Sequence, residues 1–148
     1  MVAVFLAVVL GGCGGNVYLL GADELDESQV ATILKPNEDS LSFYYKITTV
    51  LMVDGEHTGY ALSDSLIHVP SGERTLNVMY HAKDKLFSFR KSRAELSFVA
   101  DAGKSYKVAS KEDLASVSFW VEDTATGDRV SEIVEGEVTV ISDADFSP

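Results

Sequence analysis

The chain has 148 residues, 46% of them hydrophobic and 24% charged, which suits one globular domain built on a single core. Its net charge of −11 excludes nucleic acid as the partner, because phosphates call for clustered lysine and arginine. A lone cysteine, Cys13, excludes an intramolecular disulfide, so the compartment has to be read from the N-terminus instead.

Residues 2–10 form an apolar run of signal-peptide length, well short of the roughly 20 residues a membrane-spanning helix needs. The run ends at Leu10-Gly11-Gly12-Cys13, which resembles a bacterial lipobox. That resemblance implies cleavage before Cys13, a covalent diacylglyceryl and acyl (palmitate-type) lipid on its thiol, and a membrane anchor. Gly14 rather than aspartate follows the cysteine, and by resemblance to bacterial lipoprotein sorting this implies the outer membrane, facing the periplasm. The alternative is an incidental cysteine at the end of an uncleaved apolar anchor, which Asn16 and the neighbouring glycines disfavour. No lysine or arginine precedes the run, which points to a start codon upstream of Met1. The expected organisation is a signal peptide over 1–12, the lipidated cysteine and a flexible tether over 13–28, a β-sandwich domain over 29–142 and an acidic tail over 143–148.

Residues 29–35 alternate apolar and polar as a half-buried strand does, and Pro36-Asn37-Glu38-Asp39-Ser40 breaks them off. Residues 41–53 are aromatic and β-branched, with Phe43, Tyr45, Ile47 and Thr49 on one face. Val50-Leu51-Met52-Val53 is apolar at every position, so that end is expected to be buried on both sides or kinked by a bulge, in a central strand. Strands follow at 62–69 and 75–81, the second with Leu76, Val78 and Tyr80 inward. Another pair, 94–100 and 105–109, reads as a hairpin across Asp101-Ala102-Gly103-Lys104. In 116–122 Val117, Phe119 and Val121 share the inner face and Trp120 the outer; residues 123–128 turn the chain, and 137–141 make a last strand. No segment carries a 3.6-residue period over helical length, and seven or eight short strands between turns point to an all-β, antiparallel sandwich.

The stretch from Val53-Asp54-Gly55 through Gly59 to Val69-Pro70-Ser71-Gly72-Glu73-Arg74 is the most patterned in the domain. Gly55, Gly59, Pro70 and Gly72 read as structural turns of β-hairpins, since glycine supplies positive φ and proline presets the first corner. In this order the residues resemble PEGA-type domains and related bacterial lipoproteins, with Arg74 where that pattern often has histidine and Val69 where it often has leucine. The resemblance implies a small envelope β-sandwich and carries no catalytic residues.

Charge is uneven: residues 112–148 hold ten acidic residues against Arg129 alone, whereas Lys83, Lys85, Arg90, Lys91 and Arg93 crowd one short span. Those five basic residues, interleaved with Phe87 and Phe89, are candidates to contact an anionic lipid, peptidoglycan or an acidic envelope protein. The plainer alternative is an edge strand that its charges protect against edge-to-edge pairing. His57, His68 and His81 lie in a turn and at strand ends without metal-ligand spacing, and no serine sits in a G-x-S-x-G elbow. Glu122-Asp123 and Asp143-Ala144-Asp145 lack the spacing of a calcium loop and read as solvated charge. Neither a catalytic nor a metal site, nor a cofactor beyond the Cys13 lipid, is therefore expected. The function expected is a membrane-anchored, non-enzymatic accessory or interaction module of the envelope. A small-molecule or lipid carrier, or a lipid-anchored enzyme whose His and Asp residues converge only in the fold, are the alternatives.

Overall fold

The computed structural model describes residues 17–19, 22, 25–34, 37–41, 44–58, 66–83 and 88–141. Cys13 and the expected signal segment, Phe43, Gly59, Lys85, Phe87 and the expected acidic tail lie outside the described residues.

The chain is all-β, and one 3₁₀ turn at Glu27–Gln29 is the sole helical element among the described residues. Its strands are β1 (Val17–Leu19), β2 (Val30–Leu34), β3 (Asn37–Leu41), β4 (Tyr44–Val53), β5 (Glu56–His57), β6 (Leu66–Pro70), β7 (Gly72–Lys83), β8 (Phe89–Ala100), β9 (Ser105–Glu112), β10 (Ser116–Asp123), β11 (Val134–Glu137) and β12 (Thr139–Ile141). They form two six-stranded sheets, β1-β6-β2-β9-β10-β11 and β12-β8-β7-β4-β3, with β5 paired to β4 in the second. Most pairings are antiparallel, but β1 lies parallel to β6 and β2 parallel to β9. The division into twelve segments rather than seven or eight follows from strands that stop short and cross to the other sheet.

Alternation decides which side chains go inside. Leu76, Val78 and Tyr80 of β7, and Val117, Phe119 and Val121 of β10, are all buried and meet in one core between the sheets. Phe98 of β8 and Tyr106 of β9 stack edge-on across that gap at 5.0 Å. The Tyr106 ring is inside, and its hydroxyl accepts the Asp101 N–H at 2.8 Å, which satisfies the one polar atom the ring carries inward. On the opposite face of β10, Trp120 donates its indole N–H to Glu122 at 2.7 Å.

The apolar run in β4 contains a bulge, one of the two readings its pattern left open: register against β7 slips between Val50 and Met52, so that Val50 and Val53 both point inward. A bulge disturbs the ladder and exposes carbonyls to an unfilled valence. Thr58 fills it, donating its hydroxyl to Val50 O at 2.7 Å and its N–H to Leu51 O at 3.0 Å, and is fully buried. β4 is flanked on both sides, though the middle of its sheet is β7.

Four expectations are corrected. β2 does end at Leu34, as the expected break requires, but residues 37–40 are themselves strand and form most of β3, because pairing with β4 from Asn37↔Thr48 to Leu41↔Tyr44 overrides weak strand propensity. Residues 94–100 and 105–109 are no hairpin: β8 and β9 belong to different sheets, and 101–104 carries the chain across, held by Gly103 N–H to Val30 O at 2.8 Å. Pro70-Ser71-Gly72 is likewise a corner from β6 in one sheet to β7 in the other rather than a hairpin turn. Part of the expected tether is built into the first sheet, as β1 pairs Val17↔Leu66 through Leu19↔His68.

Candidate functional site

At the start of β7 the patterned turn stretch closes on itself. Asp54 and Gly55 both take positive φ, 50° and 82°, as a two-residue hairpin turn between β4 and β5 requires. Gly72, at φ 119°, makes the corner. The Asp54 carboxylate then accepts from the Arg74 guanidinium at 2.5 Å and from Thr75 N–H at 2.9 Å, while Arg74 also donates to Ser71 O at 3.1 Å. Aspartate and arginine thus tie the turn to the corner, and these residues do structural work. Pro70 sits at the end of β6, where its missing N–H costs little, opposite Val30.

At the far end of β7 lies a polar cluster between the sheets. Glu112, the last residue of β9, receives the Tyr80 hydroxyl at 2.8 Å and the Lys46 ammonium at 2.9 Å on one carboxylate oxygen, and stands 2.9 Å from the Arg90 guanidinium through the other. Alternation sends Tyr80 of β7 and Arg90 of β8 inward, and Glu112 reaches them from the opposite sheet. Arg90 further donates to Asp113 O and Leu114 O at 3.2 and 3.0 Å, and the Thr48 and Ser110 hydroxyls lie 2.7 Å apart beside the cluster. The Arg90–Glu112 approach is one of charge rather than an aligned hydrogen bond, since Arg90 Nε and Glu112 Oε1 have no hydrogen-bond partner among the described residues.

Burial pushes the Glu112 carboxyl up, but hydrogen bonds from Lys46 and Tyr80 and the charges of Lys46 and Arg90 outweigh it, leaving its pKa below the usual value. Burial, and then the hydrogen bond to Glu112, push the Tyr80 phenol well above its usual range. Glu112 therefore stays ionised and Tyr80 stays neutral near neutral pH. Such a pair holds sheets together and offers hydrogen bonds; it has neither a poised base nor an activated nucleophile. An open cleft of about 360 Å³ adjoins the cluster, lined among others by Lys46, Thr48, Tyr80, Ser110 and Glu112.

The basic span divides. Arg90 faces the core and is committed to Glu112, whereas Lys91 and Arg93 lie on the outer face of β8, where Lys83 of β7 joins them. Lys83 stands opposite Phe89, its ammonium 5.3 Å from the ring centroid. On the same face Tyr45, His81 and Phe89 make a row, with Tyr45–His81 centroids at 5.2 Å and His81–Phe89 at 5.9 Å. Burial, and then the nearby Lys91 charge, lower the His81 pKa. Glu95 sits beyond Arg93 on that face.

Of the other histidines, His57 is exposed in β5, and His68 lies in the middle of β6 opposite Thr32 rather than at a strand end. No group of three or more His, Cys, Asp or Glu gathers as a metal would require among the described residues. Glu122 binds Trp120 and Lys107, and buried Asp123 caps the following turn through Ala125 N–H at 2.9 Å, so both have structural partners.

Sequence reasoning placed Tyr80 inward but missed what it meets. The available signal was the phenol itself, since a tyrosine in an inward slot needs a partner for its hydroxyl. Comparison with protein-family models, with curated proteins and with solved structures returns no match.

Proposed function

We propose that the chain is a non-enzymatic lipoprotein of the bacterial envelope, lipidated at Cys13, facing the periplasm from the outer membrane and acting as an interaction module. The observation that carries the contact surface is the segregation of β8: Lys91 and Arg93, with Lys83 from β7, share an outer face with Tyr45, His81 and Phe89 in a chain of net charge −11. Cations beside partly exposed aromatic rings suit an anionic envelope surface, either lipid head groups or peptidoglycan carboxylates. Arg90 does not belong to this surface. The resemblance to PEGA-type domains is part of the same proposal, supported by the positive φ of Gly55 and Gly72.

Two measurements test the reading. Cys13→Ala is expected to leave an unprocessed precursor, and normal processing with lipid labelling of that variant would remove the anchor from the proposal. Lys91→Glu with Arg93→Glu is expected to weaken co-sedimentation with peptidoglycan or anionic vesicles. The wild-type signal should also fall as salt shortens the screening length to about 8 Å or less at and above physiological strength. Retention unchanged by charge reversal would leave edge protection as the role of these cations.

A further inference from the structure

We infer that the edge of β9 beside β4 is a docking groove for an extended acidic peptide, which adds to the first sheet as a strand along residues 108–112. β2 covers β9 only from Thr32↔Ser105 to Leu34↔Lys107, after which the chain crosses over and returns as β3 in the other sheet. β10 runs beside β9 on the opposite side through to Glu112. Among the described residues no strand is in register with 108–112 on the side β2 has left.

The ladder to β10 fixes where the backbone groups of this edge point. Thr124 N–H bonds Ser105 O and Asp113 N–H bonds Ser116 O, each at 2.9 Å, so the odd-numbered residues of β9 share bonds with β10. By alternation, the N–H and C=O of Ser110 and Glu112 turn toward the vacated side, as a strand-adding peptide requires. The open cleft runs along this edge: its lining takes in every residue from Val108 to Glu112 and, across the gap, Lys46, Thr48 and Tyr80.

Side chains choose the occupant. A peptide side chain turned inward there meets the Thr48 and Ser110 hydroxyls, with the Lys46 ammonium, 60% exposed, at the mouth, whereas one turned outward meets exposed Lys111 on the outer face of β9. Among the described side chains that line it, Glu112 is the one carboxylate and is already faced by Lys46 and by Arg90 behind it, so these side chains leave a residual positive charge. Hydroxyl donors and lysines suit aspartate or glutamate, and backbone groups in strand geometry suit a polypeptide over a free anion. This groove is separate from the outer face of β8, and either can fail without the other.

The test uses the full chain in detergent micelles, amide hydrogen exchange, and two labelled peptides, one alternating valine with glutamate and one alternating valine with lysine. The acidic peptide is expected to bind and to slow exchange of the Ser110 and Glu112 amides, and the basic peptide to do neither. Ser110→Pro removes an edge N–H not used by β10 and should weaken binding about tenfold more than Ser110→Ala, which loses only the hydroxyl; that tenfold is the equivalent of one hydrogen bond. Lys111→Glu, at an exposed position, should also weaken the acidic peptide and leaves the edge intact should Ser110→Pro not fold. Several outcomes would overturn the proposal: no binding, which makes the lysines guards of the edge; equal binding of both peptides; or free glutamate competing without amide protection, which makes this a small-anion site. Concentration-dependent protection without peptide would assign the edge to a second copy of the chain.

Discussion

The two ends of β7 hold ion pairs of opposite character. At its start Arg74 meets Asp54 at the surface, with both partners drawn from one patterned stretch and a carboxylate 39% exposed. At its far end Tyr80 meets Glu112, whose side chain is 15% exposed and whose other partners, Lys46 and Arg90, come from two further strands. The first pair fastens the β4–β5 turn to the corner that leads into β7; the second ties strands of the two facing sheets together. Position in the fold, more than the chemistry of the pair, sets how much each contributes, because an exposed pair gains little over water while a half-buried one leaves costly charge when broken.

The largest expected effect breaks this contrast most directly. Glu112→Ala leaves the Tyr80 hydroxyl and the Arg90 guanidinium without their carboxylate in a partly desolvated site, and a loss of about 2–3 kcal/mol is expected. Asp54→Ala removes an exposed pair and one bond to Thr75 N–H, and about 1 kcal/mol is expected. Urea unfolding of the two variants measures both, and equal losses would mean that the sheet junction contributes no more than the turn lock.

The start of β7 can be sharpened by backbone strain. Gly72→Val places a β-branched residue at φ 119° and is expected to cost about 2 kcal/mol. Gly55→Val, at φ 82° with no atom within 4 Å of the new Cβ, meets strain without a clash, and about 1 kcal/mol is expected. If the order of the two unfolding midpoints were reversed, the corner would be more yielding than the hairpin turn.

The same contrast separates what the sequence could tell from what it could not. Inward alternation of Leu76, Val78 and Tyr80, or of Val117, Phe119 and Val121, is a local pattern, and the sheets obey it. The bulge after Val50 was legible as one of two readings, because four consecutive apolar residues require either burial on both faces of a regular strand or a kink in it. The destination of a strand after its turn is a long-range choice. Residues 101–104 have turn composition whether β9 folds back on β8 or crosses to β2, and only partner availability decides. Residues 37–40 become strand for the same reason, through β4. The Glu112 cluster draws on Lys46, Tyr80 and Arg90 at sequence separations no motif spans, and the basic span hid that Arg90 and Lys91 point to opposite faces until strand phase was known.

The smallest expected effect is a division of pH dependence between the two faces of the same end of β7. Glu112, inside, has its pKa lowered from 4.5, burial being outweighed by its Lys46 and Tyr80 hydrogen bonds, so the folded state binds fewer protons than the unfolded chain below that value. Its contribution is complete above 4.5 and is lost as pH falls through the folded pKa. His81, on the outer face beside Tyr45, has its pKa lowered from 6.5 by burial and by Lys91, so its contribution too is lost as pH falls, but from a higher starting point. Urea midpoints followed against pH should therefore decline in two steps, one below 6.5 and one below 4.5. His81→Gln should flatten only the first and Glu112→Gln only the second. A first step that persists in His81→Gln would assign it to another group, and a single step abolished by either substitution would show that the two faces titrate as one unit.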